Sequence, residues 1–105
     1  MIYISGRITG NKKWKEEFNA AERYLLLTTH EAIVNPENVG KSICAFIKNP
    51  KWEDYMEHCI GHLLSCDKIY MLRGWWKSKG ARLERKIAKT LGMKVIYQRK
   101  KECGK

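Results

Sequence analysis

Four short β-type runs alternate with three stretches of helical periodicity, and this rhythm constrains the fold more than any other feature. The strand-like runs are Ile2-Tyr3-Ile4, Ala32-Ile33-Val34-Asn35, residues 68–72 and Lys94-Val95-Ile96-Tyr97. Asn11 is placed to cap a helix over residues 12–28, where Trp14, Phe18, Ala21 and Leu25 recur at helical spacing. A second helix over residues 51–65 would bury Trp52, Tyr55, Met56, Cys59, Ile60 and Leu63. A third spans residues 80–91 and ends at Gly92, a residue suited to a helix C-terminus. Residues 36–50 form a long connection with a helical turn expected around Ile43 to Ile47, and residues 73–79 form a loop.

Strand and helix in strict alternation imply a parallel sheet with right-handed crossovers. The expected architecture is therefore α/β: a small flavodoxin-like three-layer sandwich, its four parallel strands in order 2-1-3-4 with helices on both faces. In such sheets ligands bind beyond the C-terminal strand ends, where the strand order reverses. That point lies between strands one and three, so the loops beginning at Ser5 and Arg73 are expected to line the site.

A chain of 105 residues is one domain by length; the patterned part covers residues 1–97, with 98–105 a basic tail. No apolar run approaches the roughly 20 residues that span a bilayer, and patterned sequence begins at Met1, which leaves no room for a signal peptide. A soluble, cytoplasmic protein is expected. The formal net charge of +10 favours anionic partners such as nucleotides, nucleic acid or an acidic surface, without choosing among them. Cys44, Cys59, Cys66 and Cys103 include no CxxC pair. Cys59 and Cys66 stand about 10 Å apart along one helix, beyond disulfide reach, so reduced and mostly buried thiols are expected.

Glu84 is the most informative residue. On the third helix it shares the apolar stripe of Gly80, Ile87, Ala88 and Leu91, and no cation stands three or four positions away. A carboxylate on a sheet-facing side needs a partner or a purpose. It either bonds a loop amide or a distant cation, or it faces a ligand, and the second reading is favoured. The opposite face carries Arg82, Arg85, Lys86 and Lys89. With Lys77, Lys79 and the tail they form either a nucleic-acid footprint or a solvated face that keeps the protein soluble.

Two loops are candidates for ligand contact. Tyr3-Ile4-Ser5-Gly6-Arg7-Ile8-Thr9-Gly10 runs from a strand through a Gly-containing loop towards a helix N-terminus, which favours anions. It is neither a Walker motif nor GxGxxG. Gly74-Trp75-Trp76-Lys77-Ser78-Lys79-Gly80 follows the third strand at the same end of the sheet. Its adjacent tryptophans suit stacking on a planar ring, a subunit interface or simple packing, and Ser78 suits a phosphate or a helix cap. His58 and His62 are four apart but lack the HExxH glutamate, so no metal is expected, nor any cofactor. Asp67 reads as a turn residue, and Glu53 and Asp54 as partners of a helix dipole.

Tyr-x-Ser-Gly-x-Ile-Thr-Gly near the start and Ser-x-Gly-Ala-Arg-x-Glu near the end resemble the nucleoside 2-deoxyribosyltransferase superfamily, in particular its short phage and bacterial members. The resemblance extends through Asn35-Pro36, Trp52-Glu53-Asp54-Tyr55-Met56 and Cys66-Asp67. It implies a flavodoxin-like fold that cleaves N-glycosidic bonds of nucleosides or nucleotides with a glutamate nucleophile, here Glu84. It further implies that Tyr3 orients that glutamate or contacts the sugar, and that Ser78, followed by Gly80, holds a 5′-phosphate. Ser5, Gly6 and Arg7 match the first ligand loop, and a homodimer or larger assembly is implied. The sequence departs at one place, with Cys59 where the active enzymes carry an aspartate in the second helix; a thiol is a weak hydrogen-bond donor.

These observations lead to an expected nucleoside or nucleotide site with Glu84 and Tyr3 as catalytic residues. Ser5, Gly6, Arg7, Trp75, Ser78 and Gly80 are the expected substrate contacts. The alternatives are a binding module without turnover, for a nucleotide or an ADP-ribose-like ligand, and a basic nucleic-acid-binding accessory protein.

Overall fold

A computed structural model describes residues 1–38, 48–49 and 51–99. Its elements are β1 (Ile2–Ser5), α1 (Trp14–Thr28), β2 (Ile33–Val34), α2 (Trp52–Leu64), β3 (Lys68–Met71), a 3₁₀ turn (Trp75–Lys77), α3 (Lys79–Thr90) and β4 (Lys94–Tyr97). The strands are all parallel and lie in the order β2-β1-β3-β4. This is the expected α/β, flavodoxin-like topology. The helical turn expected around Ile43 to Ile47 lies outside the described residues, as do Cys44, Cys103 and residues 100–105.

The two-residue period of the strands divides the core in two. Ile2, Ile4, Tyr70 and Leu72 point to one face, where Phe18, Ala21 and Leu25 of α1 cover them. Tyr3, Ile69 and Met71 point to the other, against Cys59 and Leu63 of α2 and Ala81 and Ala88 of α3. Both faces of β1 and β3 are therefore covered, which is why these strands read as nearly continuous apolar runs. Burying a side chain such as Phe18 or Leu63 contributes about 1.5–3 kcal/mol.

Polar side chains set the element boundaries. Asn11 Oδ1 accepts the Lys13 amide at 3.1 Å, so α1 begins at Trp14, later than its apolar pattern. Asp54 accepts the Lys51 amide at 2.8 Å to open α2. β2 is only two residues long because Asn35 turns inward: its Nδ2 donates to Asn19 and Glu22 of α1 at 2.8 and 2.9 Å. Its Oδ1 accepts the Glu37 amide at 3.0 Å, which turns the chain out of the sheet at Pro36. Two expected core positions are corrected: Trp52 is 38% exposed and Leu91 54%. The first sits at the rim of a cleft and the second just past the last turn of α3. Cys59 and Cys66 are buried free thiols. Among the described residues no helix is long and apolar enough to cross a membrane.

Candidate functional site

Strand β1 sends Tyr3 and Ser5 to the same face, and α3 sends Glu84 inward from its second turn. The three side chains meet. Tyr3 Oη donates to Glu84 Oε2 at 2.7 Å and Ser5 Oγ donates to Oε1 at 2.6 Å. Tyr3 and Ser5 are essentially inaccessible and Glu84 is 6% exposed. No cation pairs with the carboxylate among the described residues. Burial pushes its pKa up to about 7, against the opposing pull of the Ser5 and Tyr3 hydrogen bonds. Burial and the neighbouring Glu84 charge push the Tyr3 phenol well above its ordinary range, so it remains a neutral donor.

Glu84 opens onto a cleft of about 740 Å³ beyond the C-terminal end of β1. That volume suits a small organic ligand. Its floor is Tyr3, Ser5 and Glu84, and one wall is the β1–α1 loop and the first turns of α1, through Gly6, Thr9, Trp14 and Phe18. α2 supplies Trp52, Tyr55, Met56 and Cys59. Pro36 and Glu37, just after β2, close a third side. Lys15 Nζ lies 5.8 Å from the Trp14 ring and Lys79 Nζ 4.7 Å from the Trp52 ring, which places positive charge beside both tryptophans. Burial pushes the Cys59 thiol up to about 11, so it presents a neutral S–H beside Tyr3 and Glu84.

Of the eight residues read from the sequence, six line this cleft: Tyr3, Ser5, Gly6, Ser78, Gly80 and Glu84. Their roles differ in kind. The Ser5 hydroxyl is committed to Glu84. Gly6 is required by packing, since a Cβ there would lie 2.9 Å from Cβ of Leu72. At Gly80 a Cβ would meet Met56 Sδ at 3.0 Å, so the small residue lets α3 approach α2. Ser78 is the N-cap of α3, its Oγ accepting the Ala81 amide at 3.1 Å.

Arg7 and Trp75 do not line the cleft. Arg7 instead turns towards Gly10, and its carbonyl accepts a bond from Asn11 Nδ2 at 3.1 Å. Trp75 packs towards β4, its ring 6.1 Å from Tyr97, because the 3₁₀ turn carries the chain across the end of β3. The cleft thus reaches towards β2 and not over the loop that begins at Arg73. Trp14, Trp52 and Glu37 are cleft residues that the sequence reading did not place there. Their only advance signal was position, at the first turn of a helix or directly after a strand.

A family model described as a domain of unknown function, DUF4406, matches residues 1–97. No curated protein and no solved structure matches the chain. With its strands, its cleft and Glu84 all inside the matched span, the chain belongs to the DUF4406 family.

Proposed function

We propose that the cleft binds a nucleoside or nucleotide and that Glu84 cleaves its N-glycosidic bond. One observation carries this reading: a buried carboxylate, held by two neutral hydroxyls and no cation, faces a largely apolar cleft. A pKa near 7 leaves a useful fraction ionised at neutral pH. The resemblance of the Tyr3–Gly10 and Ser78–Glu84 segments to the nucleoside 2-deoxyribosyltransferase superfamily points the same way.

In this mechanism a Glu84 oxygen attacks the anomeric carbon as the C–N bond breaks. The base leaves with the bonding pair and takes up a proton. Water, or a second base, then attacks the sugar ester and restores the carboxylate. Tyr3 and Ser5 orient the nucleophile and spread its charge. The aromatic walls at Trp14 and Trp52 suit a planar base, and Ser78 at the start of α3, with Lys79 and Lys15 nearby, suits a 5′-phosphate. The superfamily resemblance also implies a homodimer or larger assembly, which sedimentation tests.

Cys59 favours a second reading, a binding module without turnover. Its neutral thiol stands where the active enzymes hold a carboxylate, and leaving-group protonation is the step it serves worst. Incubating the protein with a panel of nucleosides and 5′-monophosphates, with free base followed by chromatography and binding by calorimetry, separates the two. Base release from one panel member supports the enzyme; binding without release supports the module. Neither binding nor release removes both. A 5′-monophosphate should bind at least about tenfold more tightly than its nucleoside, and equal affinity would return Ser78 to helix capping alone.

A further inference from the structure

Positive charge is distributed unevenly along the chain. Residues 68–99 carry ten Lys and Arg against one acid, Glu84, which is buried in the cleft; residues 1–67 carry eight against nine. On α3, Arg82, Lys86 and Lys89 are exposed, with Lys77 just before the helix and Lys94 on β4, the outer strand of the sheet. Among the described residues none of these five pairs with a carboxylate. The ion pairs gather instead on Met1, Glu31, Asp67 and Lys68, at the opposite end of the strands.

An ordered aromatic stack adjoins this cationic face. The Arg85 guanidinium lies 4.8 Å from the Trp75 ring and 5.7 Å from that of Tyr97, and its Nε donates to Tyr97 Oη at 2.7 Å. Trp76 meets Trp75 edge-on at 6.1 Å, and Arg82 donates to the Trp76 carbonyl at 3.3 Å. Trp76 is nevertheless 52% exposed and Tyr97 42%. Trp75, Trp76, Arg85 and Tyr97 are all absent from the cleft lining, so the nucleoside site does not account for them.

We propose that this face binds single-stranded nucleic acid, with bases stacking on Trp76 and Tyr97 and phosphates lying against Arg82, Lys86 and Lys89. The proposal is independent of the cleft chemistry. Exposed rings between unpaired cations are what an unstacked strand requires, whereas the rings have no access to bases stacked within a duplex. A second copy of the chain is a poor occupant, because a two-fold contact would bring the same cationic face against itself.

Fluorescence anisotropy with a labelled oligothymidylate of about 12 nucleotides tests it, between about 50 and 200 mM salt. The full-length chain should bind more weakly as salt rises, and an excess of mononucleoside should not displace the strand. Arg82→Glu with Lys86→Glu should weaken binding at least tenfold and lower the salt slope by about one. Trp76→Ala should independently weaken it about fivefold or more. Melting curves of both variants establish that they fold, and either one alone is sufficient to read the result. No binding at the lowest salt would overturn the proposal. So would equal affinity in both variants, or duplex binding that ignores Trp76. A dimer that Trp76→Ala dissociates would overturn it in favour of self-association.

Discussion

The two ends of the central strands hold carboxylates under opposite conditions. At the N-terminal end Glu31 and Asp67 flank the Met1 amino group at 2.9 and 2.8 Å, and Lys68 bonds Glu31. Hydrogen bonds from Lys68 and from the amino terminus hold the Glu31 and Asp67 carboxyls, respectively, below their ordinary range. At the C-terminal end Glu84 is bonded to hydroxyls alone, and burial pushes it up to about 7. Glu31 and Asp67 are stabilised as anions by cations in solvent, which helps the fold. Glu84 is made uncomfortable as an anion, which hinders the fold and suits a nucleophile. Partner type and burial, more than residue type, separate the structural acid from the reactive one.

Four substitutions break or sharpen this contrast. Glu84→Gln should lower base release from the preferred substrate by roughly a thousandfold or more, because the nucleophile is gone; chromatography of the free base checks it. Retained turnover would make the two ends equivalent. Cys59→Asp should raise base release by about tenfold or more, by supplying a proton donor beside Glu84. An unchanged rate in a folded variant that still binds ligand would clear Cys59 of blame for slow turnover. Tyr3→Phe removes one of the two hydroxyls that pull the Glu84 pKa down. It should cost about 1–3 kcal/mol in denaturant unfolding and shift the pH–rate midpoint upward. Glu31→Gln should have the smallest effect. It leaves turnover unchanged and slightly lowers the melting temperature above pH 4.5, less so in high salt or as pH falls.

Much of this arrangement is legible in the sequence, for identifiable reasons. The order of strands and helices follows from periodicity, and the sheet order from the handedness of crossovers. Glu84 is conspicuous because a lone acid interrupts the apolar stripe of α3. Tyr3 and Ser5 fall on one face of β1 by simple alternation. What periodicity cannot supply is how neighbouring elements meet. Trp75 and Trp76 are adjacent in sequence, but a three-residue turn sends the first towards Tyr97 and leaves the second exposed. Trp14 and Trp52 belong to helices on opposite sides of the sheet, and only the assembled fold brings both to one cleft. Asn35 shortened β2 through bonds to α1 that no local pattern encodes. Arg7 reads as a ligand contact by its place in the loop, yet the loop curls it towards Gly10.

The central claim is that Glu84 is kept at a cost to the fold. A carboxyl raised from 4.5 in the unfolded chain to about 7 in the folded protein binds its proton more tightly when folded. Its contribution to stability is complete below pH 4.5 and is lost as pH rises through about 7. The loss amounts to roughly 3 kcal/mol at 1.36 kcal/mol per pKa unit. Thermal melts of the wild type and Glu84→Gln at acid and alkaline pH measure it directly. The two proteins should melt together at about pH 5, and the variant should melt roughly 10 °C higher at about pH 8.5. A variant that melts well below the wild type at both pH values would contradict the account, because Glu84 would then be holding the fold together.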